Sequence, residues 1–423
     1  MDTLFKNSAH LLSANIVAQA IGLIIYPILT RIYSPEDFGL LNLFLSIGSI
    51  LTLLALAEYY YAIVLAKDNS QANGMVQVCS LLLVIMVGLV TLTIPFSKSI
   101  AGLFNTPSLA DYWWLMPIFV GLTGLWNILN YWYIRCSEFK RVSGYQISQS
   151  VLSAGCKMGF GYAGFLQGGL IVSMVIAPLV SIFVSISISW KKCLHNLHIV
   201  PWPVCKAVAN EYKNFPAFDL PRGLVNLVGG YLPVLVLTPL FGSANIGLWS
   251  MAILLGFAPI SMITKSLYQT FYQHINSQIQ QRQKIGSFFL KFTGWTTSVV
   301  APCFVGLYFI LPWLTRLLLG AEWETSGYYL RWMLPWIFCS LLTACTCFLA
   351  DIFYRQKVGL YFELLLAILR AIGIGVGCVL HDFEVAIIGY AMGSLVAILA
   401  QYIWLMSLVR KYDQSLSSDG KGL

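Results

Sequence analysis

Two basic residues stand where a membrane helix should carry none. Lys157 lies in the apolar stretch near 143–163 and Arg370 in the one near 358–380. A charge at the bilayer centre costs about 3 kcal/mol on insertion scales, so such a side chain turns to a partner or to a wet cavity. A cation about 4 Å from a phosphate gains about 4 kcal/mol at intermediate dielectric, enough to offset that cost. A basic cavity for an anionic substrate is therefore the chemistry these two residues suggest. The competing reading is a snorkelling stem, open above all to Lys157, which sits nearer the end of its stretch. Glu58, in the stretch near 38–65, is either a carboxylate that exchanges a proton or a sodium ion, or a partner for a basic group. Asp219 and Arg222 lie three residues apart at one end of the stretch near 218–240, a spacing at which they pair with each other. Glu363 falls two turns below Arg370, too far for a direct pair.

The segments that must hold these residues follow from composition. Of 423 residues, 58% are hydrophobic and only 10% charged, with a mean hydropathy of +0.76. A soluble domain carries about 25% charged residues, so the solvent here is mostly lipid. Lipid satisfies no backbone polar groups, and spanning segments must be helices or closed barrels. The apolar runs are long and continuous rather than alternating, which selects helices. Spans are expected near 8–33, 38–65, 74–96, 112–134, 143–163, 169–190, 218–240, 246–264, 288–311, 328–350, 358–380 and 385–409. Twelve spans with short loops exclude a large catalytic domain on either side. With a cytoplasmic N-terminus, nineteen of the 25 Lys and Arg fall on the inner side, four on the outer and two within spans. That bias supports cytoplasmic N- and C-termini. It also assigns the net charge of +8 to the inner leaflet rather than to nucleic acid. No cleavable signal is expected, since residues 1–9 are polar and no small-residue cleavage site follows a short apolar core.

Several familiar chemistries are missing. The chain has no G-x-x-x-x-G-K-[ST] phosphate cradle, so transport would run on a gradient or on substrate consumption. GIGVG at 373–377 imitates a dinucleotide loop but lies inside a span. Close helix packing through Gly373 and Gly377 is the expectation there, and Gly155 and Gly159 read the same way. Cys193, His195, His198 and Cys205 fit no strong zinc spacing, so no metal and no cofactor are expected. None of the ten cysteines lies in an outer loop, and no structural disulfide is expected. The loops near 97–111 and 312–327 are too short to fold over a sugar, which counts against a glycan polymerase or ligase. Pro27, Pro117, Pro178, Pro233, Pro239, Pro259, Pro302 and Pro335 fall within spans and allow bends.

The chain also repeats itself weakly. SPEDFGLLNLF at 34–44 aligns with GSANIGLWSMA at 242–252, bringing Gly39 onto Gly247. WLMP at 114–117 aligns with WMLP at 332–335, Glu138 with Asp351, and Lys157 with Arg370. Six spans per half make the halves parallel repeats about an axis along the membrane normal. On that pattern Lys157 and Arg370 face one central cavity from opposite walls. The divisions are an N-terminal six-helix lobe at 1–190, a cytoplasmic linker at 191–217, a C-terminal six-helix lobe at 218–409 and a cytoplasmic tail at 410–423. Much of the linker reads as an amphipathic helix on the inner leaflet, and 265–287 extends a helix into the cytoplasm.

Longer stretches carry a resemblance. LTRIYSPEDFGLLNLFLSI at 29–47 resembles the opening of polysaccharide flippases, where a first span ends in a basic residue before a Pro-acidic-Gly hairpin. Residues 212–272 resemble the start of their second half more closely. There FP precedes the span, LP lies within it, FG makes the turn, and IGLWSMA and AP follow in order. LLGAEWETSGYYLRWMLP at 318–335 is similar to their Gly-x-x-Trp loop. The chain is thus identified as similar to the polysaccharide transporter family, the O-antigen and capsule flippases of the multidrug/oligosaccharidyl-lipid/polysaccharide exporter superfamily. The resemblance implies an all-α membrane protein of twelve helices in two six-helix lobes related by a pseudo-two-fold. It implies a secondary transporter, not an enzyme, moving an oligosaccharide on a polyprenyl diphosphate to the outer leaflet of a bacterial plasma membrane. A polysaccharide polymerase is the candidate partner. The anionic diphosphate agrees with Lys157 and Arg370, and Arg31 matches the family's basic residue after the first span, with a structural role at the outer rim. Rivals are a cation-coupled drug exporter of the same superfamily, a lipid-linked peptidoglycan-precursor flippase, an integral-membrane sugar-transfer enzyme and a non-transporting scaffold. The first favours carboxylates, often with an acid in the first span, and 8–33 holds none. The second needs two more spans than this chain has room for.

Overall fold

The computed structural model describes residues 17–189 and 193–419. Among the described residues every element is helical and none is a strand. The long helices are α1 (Val17–Leu29), α2 (Pro35–Leu56), α3 (Asn69–Leu92), α4 (Met116–Arg135), α5 (Phe139–Tyr162) and α6 (Leu166–Ser189). The linker helix α7 (Trp202–Glu211) follows, then α8 (Leu220–Phe241), α9 (Ser243–Gln280), α10 (Gly286–Leu319), α11 (Glu324–Ala344), α12 (Gln356–Leu380) and α13 (Phe383–Asp419). Ten helical segments are long and apolar enough to cross a membrane, which makes this a multi-pass membrane protein. The other two expected spans fall on α1, where the first residues of the span expected near 8–33 lie outside the described residues, and on α5. The latter has 24 residues but is polar for a span, carrying Gln146, Gln149, Ser150, Ser153 and Lys157.

Helix boundaries follow from local chemistry. Ser34 and Asp37 form a capping box that opens α2 with Pro35 in its first turn. Gly242 ends α8 with φ +84°, a conformation that costs glycine nothing, and the Phe-Gly turn leads directly into α9. Pro178, Pro233, Pro239, Pro259, Pro302 and Pro335 sit inside helices as expected. Pro117 instead occupies the first turn of α4, where its missing N–H breaks no bond.

Packing divides the chain into two units, 1–247 and 248–423. The linker and α8 belong to the first. There α7 buries Cys205 and Val208. The Lys67 ammonium meets Glu211 at 2.7 Å, and the Tyr212 hydroxyl donates to the Leu65 carbonyl. Arg135, at the end of α4, spreads its guanidinium over the end of the short helix Ala62–Leu65 and the turn that leads from it into α3. It donates to the carbonyls of Ile63, Ala66 and Asp68 at 2.7–3.0 Å, satisfying carbonyls a short helix would otherwise leave orphaned.

The starts of α2 and α9 touch in a reciprocal way. A Cβ on Gly39 would strike the Ser243 carbonyl, and a Cβ on Gly247 would strike the Pro35 carbonyl. Gly39 and Gly247, and likewise Pro35 and Ser243, are separated by the repeat offset of 208, so the two contacts exchange under the alignment of Gly39 with Gly247. In the second unit, Ile275, Ile285, Phe289, Phe348, Leu349, Leu405 and Val409 form a buried core. Asp413 accepts the N–H groups of Ile285 and Gly286, both at 2.9 Å, at the start of α10. Gly373 and Gly377 press against Gly389 and Ala386 across the α12–α13 crossing, as their spacing predicts.

Two expectations are corrected. Gly155 and Gly159 are exposed, and a side chain at either would meet nothing within 4 Å, so they are not packing glycines. Cys136 and Cys193 form a disulfide with their Cα atoms 6.5 Å apart. Sequence placed both on the inner side, where thiols stay reduced, but could not show that the folded chain brings the end of α4 to the start of the linker.

Gly373→Leu should lower the thermal midpoint in detergent by the equivalent of about 3 kcal/mol or more, whereas Gly375→Leu, facing open space, should leave it nearly unchanged. Arg135→Lys keeps the charge but not the planar fork and should cost about 2 kcal/mol in the same melt.

Candidate functional site

The first unit holds Lys157 on α5, the polar helix of the bundle. Its turn is fixed from the neighbouring loop, where the Tyr33 hydroxyl donates to the Lys157 carbonyl at 2.7 Å. Gly161, one turn on, is packed by Ile32 and Tyr33. The residue is 9% exposed. Among the described residues no carboxylate lies within salt-bridge distance of its ammonium. On the same helix the Gln146 side-chain oxygen is buried with no hydrogen-bond partner. A buried ammonium without a counter-ion is costly to keep dry, and an anion arriving beside it removes that cost.

The second unit holds Arg370 on α12. Its guanidinium lies over the rings of Tyr390 (4.8 Å) and Trp336 (5.3 Å), and its Nε donates to the Ser394 hydroxyl at 2.8 Å. Ring faces attract a cation by about 0.5–2 kcal/mol each without neutralising it. Here too no carboxylate lies within salt-bridge distance among the described residues. The aromatic faces and the hydroxyl hold the fork in place and leave its terminal N–H groups to an incoming acceptor.

The third candidate, Glu58, is set apart by its backbone. Ala57 and Glu58 both adopt positive φ, 47° and 60°, immediately after α2. Two consecutive non-glycine residues in the left-handed region cost roughly 1–2 kcal/mol each. The carboxyl is 7% exposed, and its Oε2 is buried with no hydrogen-bond partner among the described residues. Tyr60 is its polar neighbour, and Asp219 and Arg222 lie within electrostatic reach. The place a Gly223 side chain would fill is 3.0 Å from Glu58 Oε1. Opposite the strained turn, Phe215–Asp219 winds as a π-helix rather than an α-helix. Rings fill the space between. Tyr60, Tyr61 and Tyr131 lie within 5.1 Å of one another, and Phe215 stacks on Tyr61 at 6.0 Å. The structure thus brings Glu58 to Asp219 and Arg222, a pair that the sequence placed at one end of a different span. Arg31 stands exposed in the turn between α1 and α2, away from these groups.

Sequence reasoning missed three parts of this arrangement. They are the left-handed Ala57–Glu58 pair, the close approach of Gly223 and the π-helical turn. The run EYYY at 58–61 and the FP before α8 were the available signals.

The family model described as polysaccharide biosynthesis protein matches residues 28–328. The chain belongs to that family. Among curated proteins, no sequence matches. Solved structures give the same fold. One is an inward-facing multidrug-resistance MATE transporter of the MOP superfamily, with TM-score 0.67, 13% identity, and coverage of 96% of this chain and 95% of that one. A MATE transporter of Vibrio cholerae aligns with TM-score 0.54 and 15% identity over 99% of this chain and 97% of that one. A MOP superfamily transporter from Pyrococcus furiosus, described as having a binding pocket of reversed polarity, aligns with TM-score 0.54 and 13% identity over 97% and 96%. Family and fold agree with the resemblance read from 29–47 and 212–272.

Glycine at position 57 should relieve part of the backbone strain. Ala57→Gly is expected to stabilise the detergent-solubilised protein by roughly 1 kcal/mol. Gly223→Val, which crowds the Glu58 carboxyl, should destabilise it by about 1–3 kcal/mol. Thermal unfolding followed by tryptophan fluorescence checks both signs.

Proposed function

We propose that this protein is a flippase. It moves an oligosaccharide linked to a polyprenyl diphosphate, an O-antigen or capsule repeat unit, from the inner to the outer leaflet of a bacterial plasma membrane. The observation that carries this reading is that each half holds a buried or half-buried cation within a long helix, Lys157 on α5 and Arg370 on α12, with no carboxylate within salt-bridge distance among the described residues. Cations so placed suit a doubly anionic headgroup, and the polyprenyl tail needs no protein site because lipid dissolves it. The family membership supports a saccharide as the cargo, and likeness in fold to MATE transporters of the MOP superfamily supports transport by alternating access.

In this reading the chain has twelve spans, with α1 and α5 completing the ten apolar ones, in two six-helix lobes with cytoplasmic termini. The diphosphate is taken up from the inner side by Lys157 and Arg370. Glu58 serves as the coupling carboxylate, exchanging a proton or a sodium ion. Its unpartnered Oε2 and the nearby Arg222 are the features that support that role. Arg370, held by two rings and a serine, orients the headgroup. Lys157, a compact ammonium, follows its charge.

A second reading, a cation-coupled multidrug exporter, is favoured by one observation. Glu58 is a buried carboxylate in an aromatic surround, which suits an organic cation. The two readings part on a simple experiment. In a strain lacking its own flippase, the chain should restore surface polysaccharide. Replacing both Lys157 and Arg370 by Ala should reduce it at least about tenfold at equal membrane protein level, since losing a partner of a buried charge costs 2–5 kcal/mol. A double variant that restores wild-type polysaccharide overturns the assignment. Expression that lowers accumulation of a cationic dye, and loses that effect in Glu58→Gln, would support the exporter instead.

A further inference from the structure

On α11 the second unit carries a run of hydrogen-bond donors with nothing to receive them. The Nε of Arg331, the Nε1 of Trp332 and the Nε1 of Trp336 are all buried and without a partner among the described residues. Buried N–H groups are ordinarily paired, because each one left open costs about 1–3 kcal/mol. Three on one helix within two turns describe a wall that lacks acceptors.

Arg331 stands at the middle of an aromatic box. Its guanidinium carbon is 4.7 Å from the Tyr328 ring, 5.6 Å from Tyr308 and 5.7 Å from Trp332. No carboxylate among the described residues lies within salt-bridge distance of it. Glu324, the acid at the start of the same helix, is engaged by Arg316 at 3.3 Å. Arg331 lies seven residues into α11, about 10 Å along the helix axis. A guanidinium on a membrane helix turns to a partner or to water rather than to acyl chains. An aromatic belt at the membrane interface would account for the rings, but not for an inward cluster of donors with no acceptor.

We propose that Arg331, with Tyr308, Tyr328 and Trp332, forms a subsite for a carboxylate-bearing pyranose in the carried oligosaccharide. The assignment rests on the flippase reading and names the sugar class within it. A pyranose has C–H faces that stack on tyrosine and tryptophan rings, and ring and hydroxyl oxygens that accept from indole N–H groups. A carboxylate on that ring takes the bidentate fork of an arginine. A diphosphate would use the guanidinium but has no face to offer the rings, so the box is better matched to an acidic sugar than to the headgroup. Tryptophan 336 links this box to the Arg370 cage, since its ring lies under that guanidinium. Sugar and headgroup would then be held along one side of the same helix.

The test uses the full chain in detergent micelles and saturation-transfer NMR with three probes: methyl glucuronide, methyl glucoside and inorganic pyrophosphate. Methyl glucuronide should receive saturation from the wild-type protein. The signal should fall at least about tenfold in Arg331→Ala, in part in Arg331→Lys, and little in the Lys157→Ala, Arg370→Ala double variant. Should Arg331→Ala melt early, Tyr328→Leu removes the nearest ring without removing a buried charge and should weaken the same signal. An undiminished glucuronide signal in Arg331→Ala overturns the proposal. So does a glucoside signal equal to that of glucuronide, or displacement of glucuronide by pyrophosphate, which would give the box to the headgroup. Pyrophosphate that protects wild type against thermal unfolding, but not the double variant, while glucuronide fails to bind, sinks the sugar subsite alone. Glucuronide binding without any pyrophosphate effect sinks the diphosphate reading and leaves the subsite standing.

Discussion

Hydrocarbon accepts no hydrogen bonds and stabilises no charge, and most of this structure follows from that. The backbone must satisfy itself, so every described element is a helix. Helix ends must be closed by side chains, so Ser34 and Asp37 close the start of α2, Asp413 the start of α10 and Arg135 the end of the short helix Ala62–Leu65. Helix contacts cannot draw on a hydrophobic effect within lipid, so they use close approach instead. Gly39 and Gly247 meet opposite backbone carbonyls, and Gly373 and Gly377 let α12 and α13 touch.

The same constraint makes every exception informative. Helix α5 is the polar one, and it carries Lys157. The turn after α2 is the strained one, and it carries Glu58. Helix α11 has three buried donors without acceptors, and it carries Arg331. In an aqueous protein any of these could be answered by water. Hydrocarbon offers no such answer. The two guanidiniums are handled alike. Both Arg331 and Arg370 are held by ring faces rather than carboxylates. Rings fix a guanidinium without consuming its charge, which is what a binding group for an anion requires.

Glu58 is built differently. Its position depends on two left-handed residues, a π-helical turn and a glycine that allows Oε1 to approach. Three irregularities converge on one carboxyl. Backbone distortions of that kind persist only where the surroundings over-determine them. The tyrosines around it supply rigid apolar walls with polar edges, so the carboxyl is confined by ring faces.

Much of the fold was legible in the sequence, because hydropathy is a one-dimensional quantity. Ten of the expected spans, the amphipathic linker helix, the Gly373–Gly377 crossing and the family resemblance at 29–47 and 212–272 all depend on residues near one another in the chain. The two cations were legible for the same reason, since Lys157 and Arg370 are the only basic residues in the stretches at 143–163 and 358–380. What surrounds them was not. That Tyr33 pins the Lys157 turn, that Cys136 meets Cys193, that Gly155 and Gly159 face open space, and that Glu58, Asp219, Arg222 and Gly223 share one locality are facts of tertiary structure. The aromatic seats of Arg331 and Arg370 belong with them. A sequence records which groups must escape lipid. Only the packed chain decides which neighbours they escape to, because those neighbours come from distant helices whose facing sides no local pattern specifies.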